Sequence, residues 1–242
     1  MKKYLILFGV LLFFSCFTDE NDIEKTSDTQ LLRSVSLDSE ALYNFEYFSD
    51  GKIKAQVTLN GGAISAFTSF EYESDTVYKK TSGFYTSNQK SYLISSNTLK
   101  ILDYDNDDNL LFYYLNTYSS ECGLTKTETY TQYSQLYTIV EYDYTDSNCS
   151  YNSTRELFNG EVKNNYTITK DDKNNYRTSL NAWLNFEKKH NIIEYRQWDE
   201  NDNLLLANSY NSTYVYDSNN YPIKETRVSL SGETKVFTYD YY

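Results

Sequence analysis

Short aromatic runs that alternate with polar residues, each closed by an Asp/Asn-rich turn, recur from Tyr43 to the C-terminus and leave this chain little alternative to antiparallel β-structure. In Thr138-Ile139-Val140-Glu141-Tyr142-Asp143-Tyr144, a period of two puts Val140, Tyr142 and Tyr144 on one face and Glu141 and Asp143 on the other. Phe237, Tyr239 and Tyr241 share a face of the last run in the same way. The intervening turns are Ser49-Asp50-Gly51-Lys52, Asp105-Asn106-Asp107-Asp108-Asn109, Asp199-Glu200-Asn201-Asp202-Asn203 and Asp217-Ser218-Asn219-Asn220. Asp, Asn and Gly supply positive φ and side-chain caps for tight hairpins, so consecutive strands pair antiparallel. With 27 Tyr and 13 Phe against one Pro, the composition also favours a pleated, half-buried surface over a helical bundle. The expectation is all-β: an antiparallel meander of about ten to twelve strands in a strongly twisted, curved sheet or partly closed barrel.

One segment breaks the pattern. Thr178 to Lys189 carries Leu180, Trp183, Leu184 and Glu187 at helical spacing, which reads as a short helix or irregular plug across one end of the sheet, with Trp183 as its anchor.

The N-terminus is built differently. Met1-Lys2-Lys3 followed by an apolar run from Tyr4 to Phe14 has the form of a signal peptide, residues 1–15, and is too short for a permanent bilayer span. The run stops at Leu12-Phe13-Phe14-Ser15-Cys16, which resembles a bacterial lipobox and makes Cys16 the lipid anchor. Two or three acyl chains hold a protein to a membrane far more firmly than one. Residues 16–36 then read as a polar, acidic tether and residues 37–242 as one domain. The acidic run Asp19, Glu20, Asp22 and Glu24 resembles the export signal of Bacteroidetes-type surface lipoproteins, which implies an outer-membrane lipoprotein displayed on the cell surface.

Within the domain, Tyr214-Val215-Tyr216-Asp217-Ser218-Asn219-Asn220-Tyr221-Pro222-Ile223-Lys224 resembles the YD or Rhs-type hairpin repeat, and more narrowly the lipoproteins of Bacteroidetes type assembled from such hairpins. The resemblance spans most of residues 40–242 and implies a β-rich envelope lipoprotein; it carries over no catalytic residue.

Charge and rare residues narrow the chemistry. With 34 acidic against 22 basic residues the formal charge is −12, unfavourable for phosphate backbones, so nucleic acid is not an expected partner. Cys122 and Cys149 are an even pair in an oxidising compartment; a turn at Ser134-Gln135-Leu136 brings them together as a disulfide. His190 is the single histidine, which excludes a multi-His zinc site. Asp103, Asp105 and Asp107 match the start of a calcium loop. Asp108 and Tyr114 then occupy positions where Gly and Glu belong, so a hairpin turn is the preferred reading over a weak calcium site. Asp75-Thr76-Val77 fits a short bacterial O-glycosylation pattern. Glu141, Glu194 and Asp199 could serve a glycosidase, yet no spacing singles out a pair. Trp183, Trp198, Tyr195 and Tyr216 form the candidate ligand platform, with sheet-stabilising ring pairs as the competing role. No cofactor is expected. The functional expectation is a membrane-anchored binding or scaffold module for a glycan or an envelope protein. A hydrolase of extracellular polysaccharide and an inward-facing periplasmic structural lipoprotein are the alternatives.

Overall fold

The computed structural model describes residues 30–74, 76–83, 86–119, 122–157, 161–175 and 190–242, the side chains of 162–164 aside. Cys16, Asp75 and the segment around Trp183 lie outside the described residues. The strands are β1 (Leu32–Leu37), β2 (Glu40–Tyr47), β3 (Ile53–Asn60), β4 (Ala63–Glu73), β5 (Thr76–Gly83), β6 (Ser87–Ser95), β7 (Thr98–Tyr104) and β8 (Leu110–Ser119). They continue as β9 (Gly123–Thr131), β10 (Leu136–Tyr144), β11 (Tyr151–Leu157), β12 (Val162–Lys170), β13 (Ile192–Trp198), β14 (Tyr210–Tyr216), β15 (Pro222–Ser229) and β16 (Thr234–Tyr241). Each pairs antiparallel with its neighbours in the chain, and β1 pairs with β16, so the meander closes into a barrel.

Two expectations are corrected. The described residues form sixteen strands rather than ten to twelve. β1 draws Leu32 to Ser36, assigned above to the tether, into the wall, where Leu32 is fully buried. The physical reason is common to both. In a wide barrel many inward positions need not be apolar, so β5 (Thr-Val-Tyr-Lys-Lys-Thr-Ser-Gly) and β9 (Gly-Leu-Thr-Lys-Thr-Glu-Thr-Tyr-Thr) pair without the aromatic alternation that marks their neighbours.

Strand register assigns the faces. Val35 stands abreast of Tyr43 and Tyr239, and the same face carries Phe45, Val77, Leu99 and Ile168. All of these except the half-buried Tyr43 are among the most buried of the described residues, so this face is the inward one. Sixteen strands about 4.8 Å apart and tilted by about 40° close a circular section of roughly 32 Å backbone diameter, too wide for facing walls to fill. In agreement, the buried clusters are local arcs. One joins Leu32, Val35, Phe45, Ile53 and Tyr239, the other Leu99, Tyr118 and Leu124.

Burial concentrates at the end where β1 begins. There the odd strands open with inward aliphatic residues, among them Leu32, Ile53, Val77, Leu99 and Leu124. At the same end, a tyrosine of the following even strand donates its hydroxyl to a backbone carbonyl near the start of the odd strand. Tyr47 bonds Leu32 O at 2.7 Å, Tyr72 bonds Ile53 O at 2.9 Å and Tyr144 bonds Leu124 O at 2.5 Å. Tyr214 bonds Ile192 O at 2.9 Å and Tyr241 bonds Pro222 O at 2.8 Å. Each clasp contributes about 1 kcal/mol net. At the opposite end the inward residues, such as Leu37, Tyr43, Gln89 and Gln197, are only half-buried.

The hairpin turns bear out the Asp/Asn reading. In Asp105–Asn109 the Asp105 amide donates to Asn109 O, the Asp108 amide returns to Asp105 O, and Asp108 takes φ 60°. The same pair of bonds recurs at Asp199–Asn203 and Asp217–Tyr221, with Asp202 and Asn220 at positive φ. Thr131–Gln135 repeats it with Ser134 at φ 61°, so the β9–β10 turn is centred on Tyr133, two residues before the expected Gln135, and Leu136 opens β10. Cys122 and Cys149 form the disulfide, Cα–Cα 5.2 Å, joining the β8–β9 turn to the β10–β11 turn at the packed end.

Candidate functional site

The inward surface of β10 to β14 is lined by a row of rings, two from β10 and one from each following strand, and Arg227 of β15 links the row to Phe237 of β16. Tyr142 and Tyr144 meet Tyr151 edge-on at 5.3 and 5.6 Å between centroids. Tyr151 meets Tyr166 at 6.1 Å, Tyr166 stacks on Tyr195 at 5.8 Å, and Tyr195 stacks on Tyr210 at 5.2 Å. The row ends where the Arg227 guanidinium lies 4.3 Å from the Tyr210 centroid and 4.7 Å from that of Phe237. The stacked rings cover one another's faces. Tyr166, Tyr195 and Tyr210 are half-buried. Burial first, and then the neighbouring Tyr166 and Tyr210, push the Tyr195 phenol up to about 12.

Arg227 is fixed by a buried carboxylate. Glu225, 2% exposed, accepts from Ser212 Oγ at 2.7 Å and Arg227 Nε at 2.9 Å on one oxygen, and from the Tyr239 hydroxyl at 2.7 Å on the other. A buried carboxylate is tolerated only when its oxygens are satisfied in this way. On the far arc, Lys79, Gln89 and Asp103 stand abreast on β5, β6 and β7. Burial pushes the Asp103 carboxyl up and the Lys79 ammonium down, each moderated by the other's charge. Arg155, inward on β11 beside Val140, is exposed and makes no ion pair among the described residues.

Of the four aromatic residues expected to form one platform, the three that are described do not share a surface. Trp198 pairs with Asn165 on the outer face of β13, whereas Tyr195 pairs with Ile168 on the inner face. Tyr216 is inward, but its hydroxyl is held by Asp171, itself bonded to the Asn191 amide at 3.0 Å. That makes it a buttress for the β12–β13 loop, and Trp183 lies outside the described residues. The calcium candidates also separate. Asp103 points inward from β7, while Asp105 Oδ1 accepts from the amides of Asp107 and Asn109, both at 2.9 Å. Among the described residues no group of three His, Cys, Asp or Glu is placed to hold a metal ion. His190 sits in the same loop as Asn191, its Nδ1 3.2 Å from Lys173 O. Of the glycosidase carboxylates, Glu141 and Glu194 lie on the outer face and Asp199 caps a turn.

Glu225, Arg227 and Arg155 are among the lumen residues that the sequence alone did not single out. The signal was present for the first two, since Lys224-Glu225-Thr226-Arg227 places opposite charges on one face of a strand.

No family model matches the chain, and no curated protein matches it. Among solved structures, it is similar to a porin-like protein from Bacteroides uniformis ATCC 8492, with a TM-score of 0.59 and 14% sequence identity over 88% of this chain and 99% of that one. The likeness is one of fold: an all-β antiparallel meander closed as a barrel, compatible with an outer-membrane location.

Proposed function

We propose that this protein is a lipid-anchored receptor of the outer membrane. In this reading Cys16 holds it to the bilayer and the barrel stands in water as a cup for an elongated, hydroxyl-rich ligand such as a glycan. The observation that carries the reading is the contrast between the two faces of the wall. Inward positions are rich in tyrosine, whereas outward positions carry charge around the circumference: Glu46, Glu71, Lys90, Glu128, Glu141, Glu194 and Lys224. Placing Lys90, Lys100, Lys126, Arg196 and Lys224 against lipid would cost on the order of 10 kcal/mol. Such a wall favours attachment through an anchor over insertion of the strands, even though the neighbouring fold is porin-like.

In this reading the cup also has a direction. The chain enters β1 at the packed end, so a tether from Cys16 places that end nearest the membrane and turns the half-buried end outward. Detergent phase partitioning tests the anchor: the wild type enters the detergent phase and Cys16→Ala the aqueous phase. A Cys16→Ala variant that still partitions into detergent would show that the wall itself inserts. Protease treatment of intact cells tests the address, with rapid digestion expected for a surface protein and protection until lysis for a periplasmic one.

A further inference from the structure

The chain is strongly acidic, yet its inward strand positions are not. Five cations, Lys79, Arg155, Lys170, Arg227 and Lys235, face inward among the described residues against three carboxylates, Asp103, Glu225 and the rim residue Glu40. Glu225 is already occupied by Ser212, Arg227 and Tyr239. Arg155 stands on β11 next to the ring row, two residues along the same face from Ser153, which pairs with Tyr166. Of the five cations, Lys79 stands in line with Asp103, Lys170 lies over the Tyr151 ring, Lys235 lies 3.2 Å from Glu233 and Arg227 holds Glu225. That leaves Arg155 as the exposed inward cation that a counter-charged ligand would meet. At physiological salt the acidic exterior is screened beyond about 8 Å.

We propose that the lumen is selective for an anionic glycan, one bearing uronate or sulfate groups, with Arg155 meeting its charge while the tyrosine hydroxyl edges meet its hydroxyls. The inference rests on the receptor reading above and names its ligand class. Nucleic acid, the other common polyanion, is disfavoured because its bases need open aromatic faces, and in this row the rings of Tyr166, Tyr195 and Tyr210 cover one another.

The test is calorimetric titration of the full-length protein in detergent micelles with an oligogalacturonate, a chondroitin sulfate oligosaccharide, a neutral galactan oligomer of equal length and oligothymidylate. The expected result is binding of at least one acidic glycan that weakens with added salt. It also weakens about tenfold in Arg155→Gln and is retained in Arg155→Lys, as for loss of one charge-assisted hydrogen bond. Equal or tighter binding of the neutral oligomer overturns the anionic selectivity but leaves the receptor reading intact. Comparable binding of oligothymidylate overturns the glycan assignment, and binding of none of the four removes both. Arg155 is exposed, so its variants test the ligand and not the fold.

Discussion

The carboxylates of this protein fall into two kinds, set by what surrounds each oxygen. Glu225 is enclosed and fully bonded, so Glu225→Ala would leave Arg227 without its counter-charge and the Ser212 and Tyr239 hydroxyls without their acceptor. We expect a loss of about 3 to 5 kcal/mol, and a smaller loss for Glu225→Gln, read from urea midpoints. A Glu225→Ala variant as stable as the wild type would mean that the ion pair is not enclosed. Asp105 and Asp199 are solvent-exposed caps, and bonds from the Asn109 and Asn203 backbone hold their carboxyls below the ordinary range. A lowered folded pKa means that the unfolded chain binds more protons in acid. Stability from these caps is therefore present above the usual carboxylate pKa and lost as pH falls through the lowered values. Asp103 has the opposite sign, since its raised carboxyl loses stability as pH rises through the ordinary carboxylate range. Asp199→Ala should accordingly melt lower than wild type near neutral pH, and the gap should close in strong acid. A gap independent of pH would show that the carboxylate is not the capping group.

Between strands, the recurring unit is a hairpin with an Asp/Asn turn at one end and a tyrosine clasp at the other. Much of this was legible beforehand, because turn chemistry is local: Asp at the first position and a positive-φ residue three later mark the turn wherever it occurs. The clasps were not, since they depend on which carbonyl the partner strand presents some twenty residues away. The disulfide was foreseen because equal strands either side of a turn must return their ends to one place. In the chain-entropy model it stabilises by about 3.5 kcal/mol, and Tyr144→Phe, which removes the neighbouring clasp, should cost about 1 kcal/mol. Thermal melts of Cys122→Ser/Cys149→Ser and of Tyr144→Phe check both, and a Tyr144→Phe loss as large as that of the disulfide pair would assign the hydroxyl a wider role. The weak seam is β13–β14, registered only at Glu194–Asn211 and Tyr195–Tyr210. There Arg196 supplies the missing links by donating to Tyr210 O at 2.8 Å and Asn211 Oδ1 at 2.7 Å.

Closure of the barrel was the least legible property, because it depends on the pairing of β1 with β16, nearly the whole chain apart, and on a strand whose sequence, Leu-Arg-Ser-Val-Ser-Leu, resembles a linker. What the sequence did show was the abundance of tyrosine, and the barrel turns that abundance into a measurable global behaviour. Burial, with the nearby Asp50 charge adding to it at Tyr72, pushes Tyr72 up to about 12; Tyr195 reaches the same level. Tyr47, Tyr214 and Tyr216 are raised further, chiefly by burial. Unfolded tyrosine ionises near pH 10, so between about 10 and 12 the native state holds more protons than the unfolded one and stability falls with rising pH; below about 10 these groups contribute no pH dependence. An alkaline titration followed by near-ultraviolet phenolate absorbance should therefore ionise only part of the 27 tyrosines around pH 10. The remainder should ionise in one cooperative step that coincides with loss of the β-sheet circular dichroism signal. If every tyrosine instead titrated near pH 10 with the sheet signal intact, the rings would be fully solvated, and an inward-facing, partly buried row could not be their location.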